Sequence, residues 1–260
     1  MAKLHGQPCW YELMTAKGGL EKAETFYSEV LGWSYRDAGM EGFAYHLASA
    51  GDDMVAAAME PPPDVGDMPP FWMIYFAVEN ADKAAADVEA AGGSVHRPPE
   101  DIPGTGRFAI FADPLGAAFG ILEPEPMEGG GAGHAFDQTK AGHGSWNELM
   151  TSDPEAGFGF YADLFGWESA MVVDMGEMGP YRIFSHDGAQ IGGVMGLGNA
   201  PAPCWLPYFG VRDVEEAIGR IEAAGGRHAF GPIQVPGGSF IAVAHDSLGA
   251  WFAVVGPKEG

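Results

Sequence analysis

Apolar and polar residues follow a fixed order in the first part of the chain. The segment WYELMT (10–15) alternates as a β-strand does when its side chains point to opposite faces in turn. Apolar residues then recur at helical spacing from Leu20 to Leu31, and Gly32 stops the helix. Three short strands should follow, because Gly and Asp turns separate the stretch ending near Tyr35, FAYHLAS and DMVAAAM. This order predicts one βαβββ module.

The same order of elements then restarts. FWMIYFAV (71–78) predicts a strand, 81–91 predicts a helix closed by a Gly pair, and GRFAIFA and AAFGILE predict further strands. The corresponding helix of the second half begins DVEE, where Asp213 is a predicted N-cap and Glu216 three residues on completes a capping-box pattern. The pattern therefore predicts four βαβββ modules in the chain.

The two halves of the chain are also repeats of each other. Five segments of the first half return in the same order in the second half. The pairs are WYELMT and WNELMT, FYSEVLGW and FYADLFGW, YHLASAGDDMVAAAM and YRIFSHDGAQIGGVM, FWMIYFAV and CWLPYFGV, and DPLGAAFGILEP and DSLGAWFAVVGP. We therefore predict an α+β protein of tandem duplicated domains, 1–126 and 142–260. The Gly-rich segment 127–141 lacks apolar periodicity, which predicts a linker.

Composition narrows the partners of such a protein. Asp and Glu number 36 against 13 Lys and Arg, a formal charge of −23, which repels nucleic acid and anionic membranes. The chain has no apolar stretch of signal-peptide or transmembrane type, so we expect a cytoplasmic protein, as a monomer or homodimer. Cys9 and Cys204 predict buried free thiols. A small molecule remains as the expected partner.

The segments FYSEVLGW and FYADLFGW, with ADPLGAAFGIL and HDSLGAWFAVV, identify a family. With them the chain resembles the vicinal oxygen chelate superfamily, which includes glyoxalase I, bleomycin-resistance proteins, fosfomycin-resistance enzymes and extradiol dioxygenases. The resemblance implies paired modules whose eight strands form a curled mixed sheet around a cavity. It also implies a divalent metal, held by His, Glu or Gln of the first and last strands, that polarises substrate oxygens.

The family's metal ligands are predicted to be missing from this chain. Strand by strand, the first-strand ligand positions and the last-strand positions fall on residues without a hard donor: Trp10, Met73, Trp146, Leu206, Gly120 and Ala253. None of these side chains suits a divalent cation. No cofactor is therefore predicted, and a divalent metal is disfavoured.

The alternating strand places Trp10, Glu12 and Met14 on one face, which the resemblance makes the cavity face. A carboxylate on an apolar face needs a hydrogen-bond partner or a raised pKa, and a raised pKa suits a base. We predict four catalytic residues: Glu12, Glu148, Tyr75 and Tyr208. Predicted substrate-binding residues are Trp10, Met14, Trp72, Met73, Arg107, Trp146, Met150 and Trp205. The alternative is a structural Glu that bonds backbone groups or pairs with Arg107.

Three further residues leave alternatives open. Arg107, in the short Gly-rich turn PGTGRFAIF, could bind an anionic substrate group or lie solvated at the surface. His46 or His186 could join Glu12 or Glu148 in a site unlike the family's, although surface or structural roles are the ordinary case.

These observations keep three function classes. The first is a glyoxalase-like small-molecule enzyme of lyase, isomerase or dioxygenase descent that lacks the family's metal ligands. The second is a protein that sequesters a small aromatic or cationic ligand, as bleomycin-resistance proteins do without catalysis. The third is a protein whose interfaces matter and whose cavities are vestigial. The fold supports all three, so whether the chain is an enzyme stays open.

Overall fold

The computed structural model describes residues 4–62, 66, 68–125 and 133–258. Four βαβββ modules follow one another along the chain, as predicted. The elements of the first two modules are β1 (Pro8–Met14), α1 (Leu20–Leu31), β2 (Ser34–Asp37), β3 (Tyr45–Ala50), β4 (Asp53–Met59), β5 (Phe71–Ala77), α2 (Ala81–Ala90), β6 (Ser94–Ile102), β7 (Gly106–Ala112) and β8 (Ala118–Pro124).

The second half repeats this series with one added 3-10 turn at Gly176–Met178. Its elements are β9 (Gly144–Thr151), α3 (Pro154–Phe165), β10 (Glu168–Asp174), β11 (Pro180–His186), β12 (Ala189–Gly196), β13 (Cys204–Gly210), α4 (Val214–Ala223), β14 (Arg227–Gln234), β15 (Phe240–His245) and β16 (Trp251–Gly256). Among the described helices none is long and apolar enough to cross a membrane.

The strands form two mixed sheets of eight strands each, and neither sheet closes into a barrel. The order is β2-β3-β4-β1-β5-β8-β7-β6 in the first sheet and β10-β11-β12-β9-β13-β16-β15-β14 in the second. In each module the first strand pairs in parallel with the last, and the remaining neighbours are antiparallel. The predicted α+β fold class is confirmed.

Local sequence explains where the helices begin and end. α1 and α3 stop at Gly32 and Gly166, whose left-handed φ angles of 75° and 71° cost a glycine nothing. α4 begins after Asp213, whose carboxylate accepts the Glu216 backbone N–H at 2.8 Å as predicted. α2 begins in the same way after Asn80.

Contacts group the chain into two compact units that do not follow the sequence halves. One unit comprises Met1–Cys9, Ile74–Gly133 and Trp146–Trp205, and the other comprises Trp10–Met73, His134–Ser145 and Leu206–Gly260. Each unit thus combines elements from both sequence repeats. The predicted domain bounds 1–126 and 142–260 stay a prediction, and Pro126 lies outside the described residues, as do 127–132 of the predicted linker.

The described part of the predicted linker is folded. Ala135 is buried, and its carbonyl accepts the Gly144 backbone N–H at 2.8 Å. The backbone N–H of Asp137 donates to the Gly144 carbonyl at 2.9 Å, and Phe136 pairs with Gly144 in an isolated bridge. Since these backbone groups are satisfied within the segment, 133–143 is a structured turn that leads into β9.

Candidate functional site

Strand register assembles a set of side chains around Glu12. Glu12, Ala57 and Leu47 lie side by side on β1, β4 and β3. Met14, Met59 and Tyr45 form the adjacent row in the same register. Because side chains alternate between faces along a strand, both rows share one face of the sheet with Trp10. We call these side chains the Glu12 face.

A chain of hydrogen bonds ends on the Glu12 carboxylate. The indole Nε1 of Trp10 donates to the Tyr45 hydroxyl at 3.1 Å, and that hydroxyl donates to Glu12 Oε2 at 2.8 Å. Glu12 is only 8 % exposed, whereas Trp10 and Tyr45 are half-buried. The carboxylate therefore lies at the base of a partly open aromatic surface.

The second repeat builds the same arrangement on β9, β11 and β12. We call its counterpart the Glu148 face; it contains Trp146, Glu148, Met150, Tyr181, Ile183, Gly193 and Met195. Trp146 Nε1 donates to the Tyr181 hydroxyl at 2.9 Å, and Tyr181 hydrogen-bonds Glu148. Glu148 is 7 % exposed, so the burial of the carboxylate is repeated as well.

Both tyrosines keep their phenolic protons. Burial raises the pKa of Tyr45 well above its ordinary value, and the neighbouring Glu12 carboxylate raises it further. The pKa of Tyr181 is raised for the same two reasons, with Glu148 as the neighbour. Each hydroxyl is therefore a fixed donor to its carboxylate, and the indole N–H behind it polarises that donation. Such a carboxylate can accept a proton or a hydrogen bond from a bound molecule.

The predicted tyrosines Tyr75 and Tyr208 lie on β5 and β13, the first strands of the second and fourth modules. Tyr75 lies opposite Gly120 in the register of β5 and β8, and its ring covers that glycine so closely that an added Cβ would overlap it. Tyr208 lies opposite Ala253. Both rings are buried. Their catalytic role stays a prediction.

Two of the predicted substrate-binding tryptophans lie in the hydrophobic core. Trp72 Nε1 donates to the Tyr27 hydroxyl of α1 at 2.8 Å, and Trp205 Nε1 donates to the Tyr161 hydroxyl of α3 at 3.0 Å. Each indole is about 4 % exposed and packs among aromatic rings. Trp72 thus lies on the strand face opposite its neighbours Met73 and Tyr75.

The same two tyrosines bond the aspartates of the repeated DPLG and DSLG segments. The Tyr27 hydroxyl donates to Asp246 at 3.1 Å, and the Tyr161 hydroxyl donates to Asp113 at 3.2 Å. In each turn the other carboxylate oxygen accepts two backbone N–H groups at 2.8–2.9 Å. The resemblance rests on these motifs, and their aspartates hold the turn and the facing helix together.

The remaining predicted binding residues are three methionines and Arg107. Met14 and Met150 are half-buried on the Glu12 and Glu148 faces, whereas Met73 is buried. Arg107 bonds Asp82 through Nε and Nη2 at 3.1 and 3.0 Å and Asp101 through Nη1 at 2.8 Å. These carboxylates raise the pKa of Arg107 and occupy its donors, which leaves little of the guanidinium for a substrate anion.

The histidines lie away from the two carboxylates. His46 bonds Glu24 of α1, on the side of the sheet opposite the Glu12 face. His186 Nε2 contacts the His5 carbonyl at 2.8 Å. Burial raises the pKa of the Cys204 thiol to about 11 and also raises that of Cys9. Cys9 is buried as predicted, whereas Cys204 is only half-buried.

The residues at the predicted ligand positions lack hard donors for a divalent metal. The Trp10 and Trp146 indoles donate their N–H protons to tyrosines, and Gly120 lies beneath a tyrosine ring. A hard cation requires carboxylate, imidazole or similar donors, which these positions do not supply. Within the described ranges no three His, Cys, Asp or Glu side chains converge into a possible metal site.

Sequence reasoning missed Tyr45 and Tyr181, the donors to the two carboxylates. The signal was available, because a tyrosine opens each copy of the repeated segment that becomes β3 and β4 or β11 and β12. The residue after it changes from His46 to Arg182, so the tyrosine is kept where its neighbour is not. Only the strand register shows that this tyrosine meets the glutamate of another strand.

Comparisons with known proteins point in one direction. The family model described as Glyoxalase/Bleomycin resistance protein/Dioxygenase superfamily matches residues 13–121. The chain is 33% identical over 260 residues to "Putative glyoxylase CFP32" of Mycobacterium tuberculosis (strain CDC 1551 / Oshkosh), covering 97% of this chain and 95% of that protein. It is 31% identical over 269 residues to "Anthracycline biosynthesis protein DauV" of Streptomyces sp. (strain C5), covering 98% and 94%.

Solved structures with the same fold are more distant in sequence. The 2,3-dioxygenase LapB from Pseudomonas sp. KL28 superposes with a TM-score of 0.67 at 14% identity, over 99% of this chain and 94% of that one. The Mn(II)-bound glyoxalase from Novosphingobium aromaticivorans gives 0.64 at 17% identity, over 99% and 83%. At such identities the likeness establishes the fold alone.

Proposed function

The chain belongs to the glyoxalase/bleomycin resistance protein/dioxygenase superfamily, and from this membership we propose that it is a metal-independent enzyme that moves a proton on a small carbonyl compound. Glu12 and Glu148 are the proposed bases. The proposal includes a substrate with aromatic character, which the tryptophan and methionine side chains of each face would bind.

The observation that carries this proposal is the duplicated chain of Trp, Tyr and Glu. An indole N–H, a phenolic O–H and a buried carboxylate follow one another on both faces. A purely structural glutamate would be satisfied equally well by backbone donors, without two aromatic side chains on a partly open face. The arrangement holds the carboxylate in one orientation, which is a requirement for a catalytic base.

The chemistry requires only groups that the chain supplies. The carboxylate takes the proton from the carbon next to a carbonyl, and the electron pair of that C–H bond becomes the enolate. Return of the proton to the enolate oxygen gives the enol, and this isomerisation needs no external oxidant or reductant. The tyrosine hydroxyl keeps its own proton, because the pKa values of Tyr45 and Tyr181 are raised. It positions the base by hydrogen bonding.

The relatives support the choice of substrate class. The names of two relatives mention glyoxylase and anthracycline biosynthesis. A polycyclic aromatic carbonyl compound would suit both the aromatic face and a carboxylate base, and we propose this class for the present chain.

The test is proton exchange at carbon. The protein is incubated in D₂O with α-hydroxy ketones, thiol adducts of 1,2-dicarbonyls and hydroxyanthraquinone ketones, and loss of the α-proton is followed by NMR. We expect the double variant Glu12→Gln, Glu148→Gln to lose exchange by at least about 100-fold, the usual contribution of a general base. Unchanged exchange in this double variant would contradict the proposal.

Glu24→Gln is the matched control. Glu24 is half-buried and, like Glu12, bonds a side chain of β3, but it lies on the helix side of the sheet. This variant should retain exchange within about twofold, and the melting temperatures of all variants should show that they remain folded.

Ligand sequestration is the second candidate, and the net charge of −23 favours it for cationic aromatic compounds. It predicts saturable binding of an anthracycline, followed by its fluorescence, with no proton exchange in any substrate of the panel. In that case Trp10→Ala and Trp146→Ala should weaken binding, whereas the two Glu→Gln changes should weaken binding only of the cationic ligand.

A further inference from the structure

The Glu12 and Glu148 faces differ in one residue on the outer strand. In the first repeat the row of Glu12, Ala57 and Leu47 continues to Arg36 on β2. In the second repeat the row of Glu148, Gly193 and Ile183 continues to Met171 on β10. The same strand position therefore carries a cation at the end of one carboxylate's row and an apolar side chain at the end of the other's.

Arg36 points to the Glu12 face. Its neighbour Tyr35 packs against Trp33, with ring centroids 6.4 Å apart, and Trp33 stacks on Tyr27 of α1, so Tyr35 lies on the helix side of the sheet. Because adjacent side chains on a strand point to opposite faces, Arg36 projects from the other side. Its register with Leu47 and Ala57 agrees with this assignment.

Arg36 is exposed and has an unusual partner. Its Nη2 lies 3.3 Å from the Met54 sulfur, and within the described residues no carboxylate lies within 4.0 Å of it. Four other arginines, Arg97, Arg107, Arg182 and Arg220, pair with carboxylates. In a chain with 36 acidic residues, an arginine whose recorded partner is a thioether retains donors for an incoming anion.

The distance between Arg36 and Glu12 limits the size of the ligand. They are three strands apart on one face of the sheet, about 14 Å between backbones at the usual strand spacing of about 4.8 Å. A ligand that contacts both groups must therefore be an extended molecule, such as a fused-ring compound. Leu47 and Ala57 between them provide an apolar floor.

The Glu148 face offers no equivalent of Arg36. Its two rows contain Met171, Ile183, Gly193 and Glu148, and Val173, Tyr181, Met195 and Met150. Met171 is 44 % exposed, and no side chain in these rows is cationic. Arg182 of the same strands lies on the opposite side, bonded to Glu155.

We propose that the two faces are specialised for different ligands. The Glu12 face binds an aromatic carbonyl compound whose far end carries an anionic oxygen group, held by Arg36, and the Glu148 face binds the neutral analogue. This inference rests on the proposed function, because it assumes that both faces bind small aromatic carbonyl compounds. Arg36 and Met171 are then the residues that determine specificity.

The test uses two probes that differ in one group, anthraquinone-2-carboxylate and 2-(hydroxymethyl)anthraquinone, with binding measured by titration calorimetry at low salt. The carboxylate probe should bind one tight site per chain, which Arg36→Met weakens about tenfold, the loss expected for a charge-assisted pair. The neutral probe should keep its affinity in Arg36→Met. Adding Met171→Arg to that variant should restore a carboxylate site, now on the Glu148 face. Salt should weaken only the carboxylate probe.

Arg97→Met is the matched control, since it removes the same charge from an arginine that is already paired with Glu100. The specialisation would be overturned if Arg36→Met and Arg97→Met lost equal affinity for the carboxylate probe, or if neither lost any. In that case continued binding of the neutral probe would leave the proposed function standing. Failure of both probes to bind the wild-type chain at 1 mM would overturn the two proposals together. Proton exchange is measured in a separate experiment. A chain that selects the carboxylate probe but catalyses no proton exchange would reject the proposed catalysis and leave the specialisation of the two faces standing.

Discussion

At the scale of single residues, Tyr45 gives its phenolic proton to Glu12 while it accepts a hydrogen bond from Trp10. Tyr181 does the same between Trp146 and Glu148. A buried carboxylate needs such donors, because a buried charge without a partner is strongly destabilising. The same tyrosine hydrogen bond therefore stabilises the fold and orients the glutamate that we propose as the base. Experiments can separate these two effects.

Tyr45→Phe should destabilise the protein by about 1.5–3 kcal/mol at pH 7, because it removes a hydrogen bond to a buried charged group. Urea denaturation at pH 7 measures this difference.

Tyr35→Phe is the control for the loss of a phenol on a neighbouring strand. Its ring packs against Trp33 on the helix side, away from Glu12. This variant should change the free energy of unfolding by less than about 0.5 kcal/mol, as ordinary substitutions do. Equal losses in the two variants would show that Glu12 does not depend on the Tyr45 hydroxyl.

At the scale of elements, the turns at Asp113 and Asp246 join a hairpin to a helix. Each carboxylate organises its own turn through two backbone N–H groups and reaches a tyrosine of a helix, Tyr161 or Tyr27. Both aspartates are 3 % exposed, and burial raises their pKa values in spite of the hydrogen bonds that lower them. The turns are thus sensitive to pH.

Asp246→Asn should remove part of that pH dependence. Because the pKa of Asp246 is higher in the folded chain than in the unfolded chain, the folded state binds more protons between the two values. Stability from this group is full below the unfolded pKa and is lost as the pH rises through the folded pKa. As the pH rises through this range, Asp246→Asn should therefore become more stable relative to the wild-type chain. Thermal unfolding of both proteins from pH 3.5 to 7 measures this difference.

Asp137→Asn serves as the control, because its stability relative to the wild-type chain should fall, not rise, as the pH increases. Hydrogen bonds from Thr139 lower the pKa of Asp137, so its contribution is present above the unfolded pKa and is lost as the pH falls. The Asp246 explanation would be wrong if both variants changed stability in the same direction across the range.

The contact between β5 and β8 predicts a steric effect. Gly120→Ala would place a methyl group inside the Tyr75 ring. We therefore expect overpacking to lower the free energy of unfolding by about 1–3 kcal/mol. Gly159→Ala, within α3, has open space and should instead stabilise by about 0.5–1 kcal/mol. Chemical denaturation of both variants tests the packing, and a neutral Gly120→Ala would contradict the close fit of the ring.

At the scale of the whole molecule, the two compact units each draw on both sequence repeats. In one unit Phe26 of α1 packs against Phe252 of β16, with ring centroids 5.8 Å apart. In the other, Phe119 of β8 packs against Tyr161 of α3 at 5.2 Å. In each unit a helix of one repeat therefore packs against a strand of the other repeat.

Fragments 1–132 and 133–260, expressed separately, should not give folded monomers. Each fragment would expose the aromatic side chains of its helices and leave Asp113 or Asp246 without its tyrosine. We expect association or aggregation of each fragment alone and recovery of the native circular dichroism when the two are mixed. Sedimentation measures the association states.

A protease site inserted within 126–132 of the full chain provides the control. Cleavage after folding should leave the two sequence halves associated, because each compact unit contains contacts between them. Two fragments that each sediment as folded monomers would show that 1–126 and 142–260 are independent domains.

The sequence by itself determined the elements and the repeat. Helix ends at Gly32 and Gly166, the Asp213 cap and the alternation of Trp10, Glu12 and Met14 are local effects of backbone conformation and strand geometry. The four-module α+β fold followed from these, and so did the family. The carboxylates Glu12 and Glu148 were found because they recur at a fixed place in the repeat.

The tertiary structure decided what those elements contact. Tyr45 meets Glu12 through the register of three strands, and Trp72 turns toward the helix core although it adjoins residues on the other face. The packing of a helix of one repeat against a turn of the other also depends on distant residues, because Tyr27 and Asp246, which bond each other, are 219 positions apart. Local sequence patterns fix each residue's conformation and face, but pairing across such distances depends on which apolar surfaces bury one another best, a property of the folded chain as a whole.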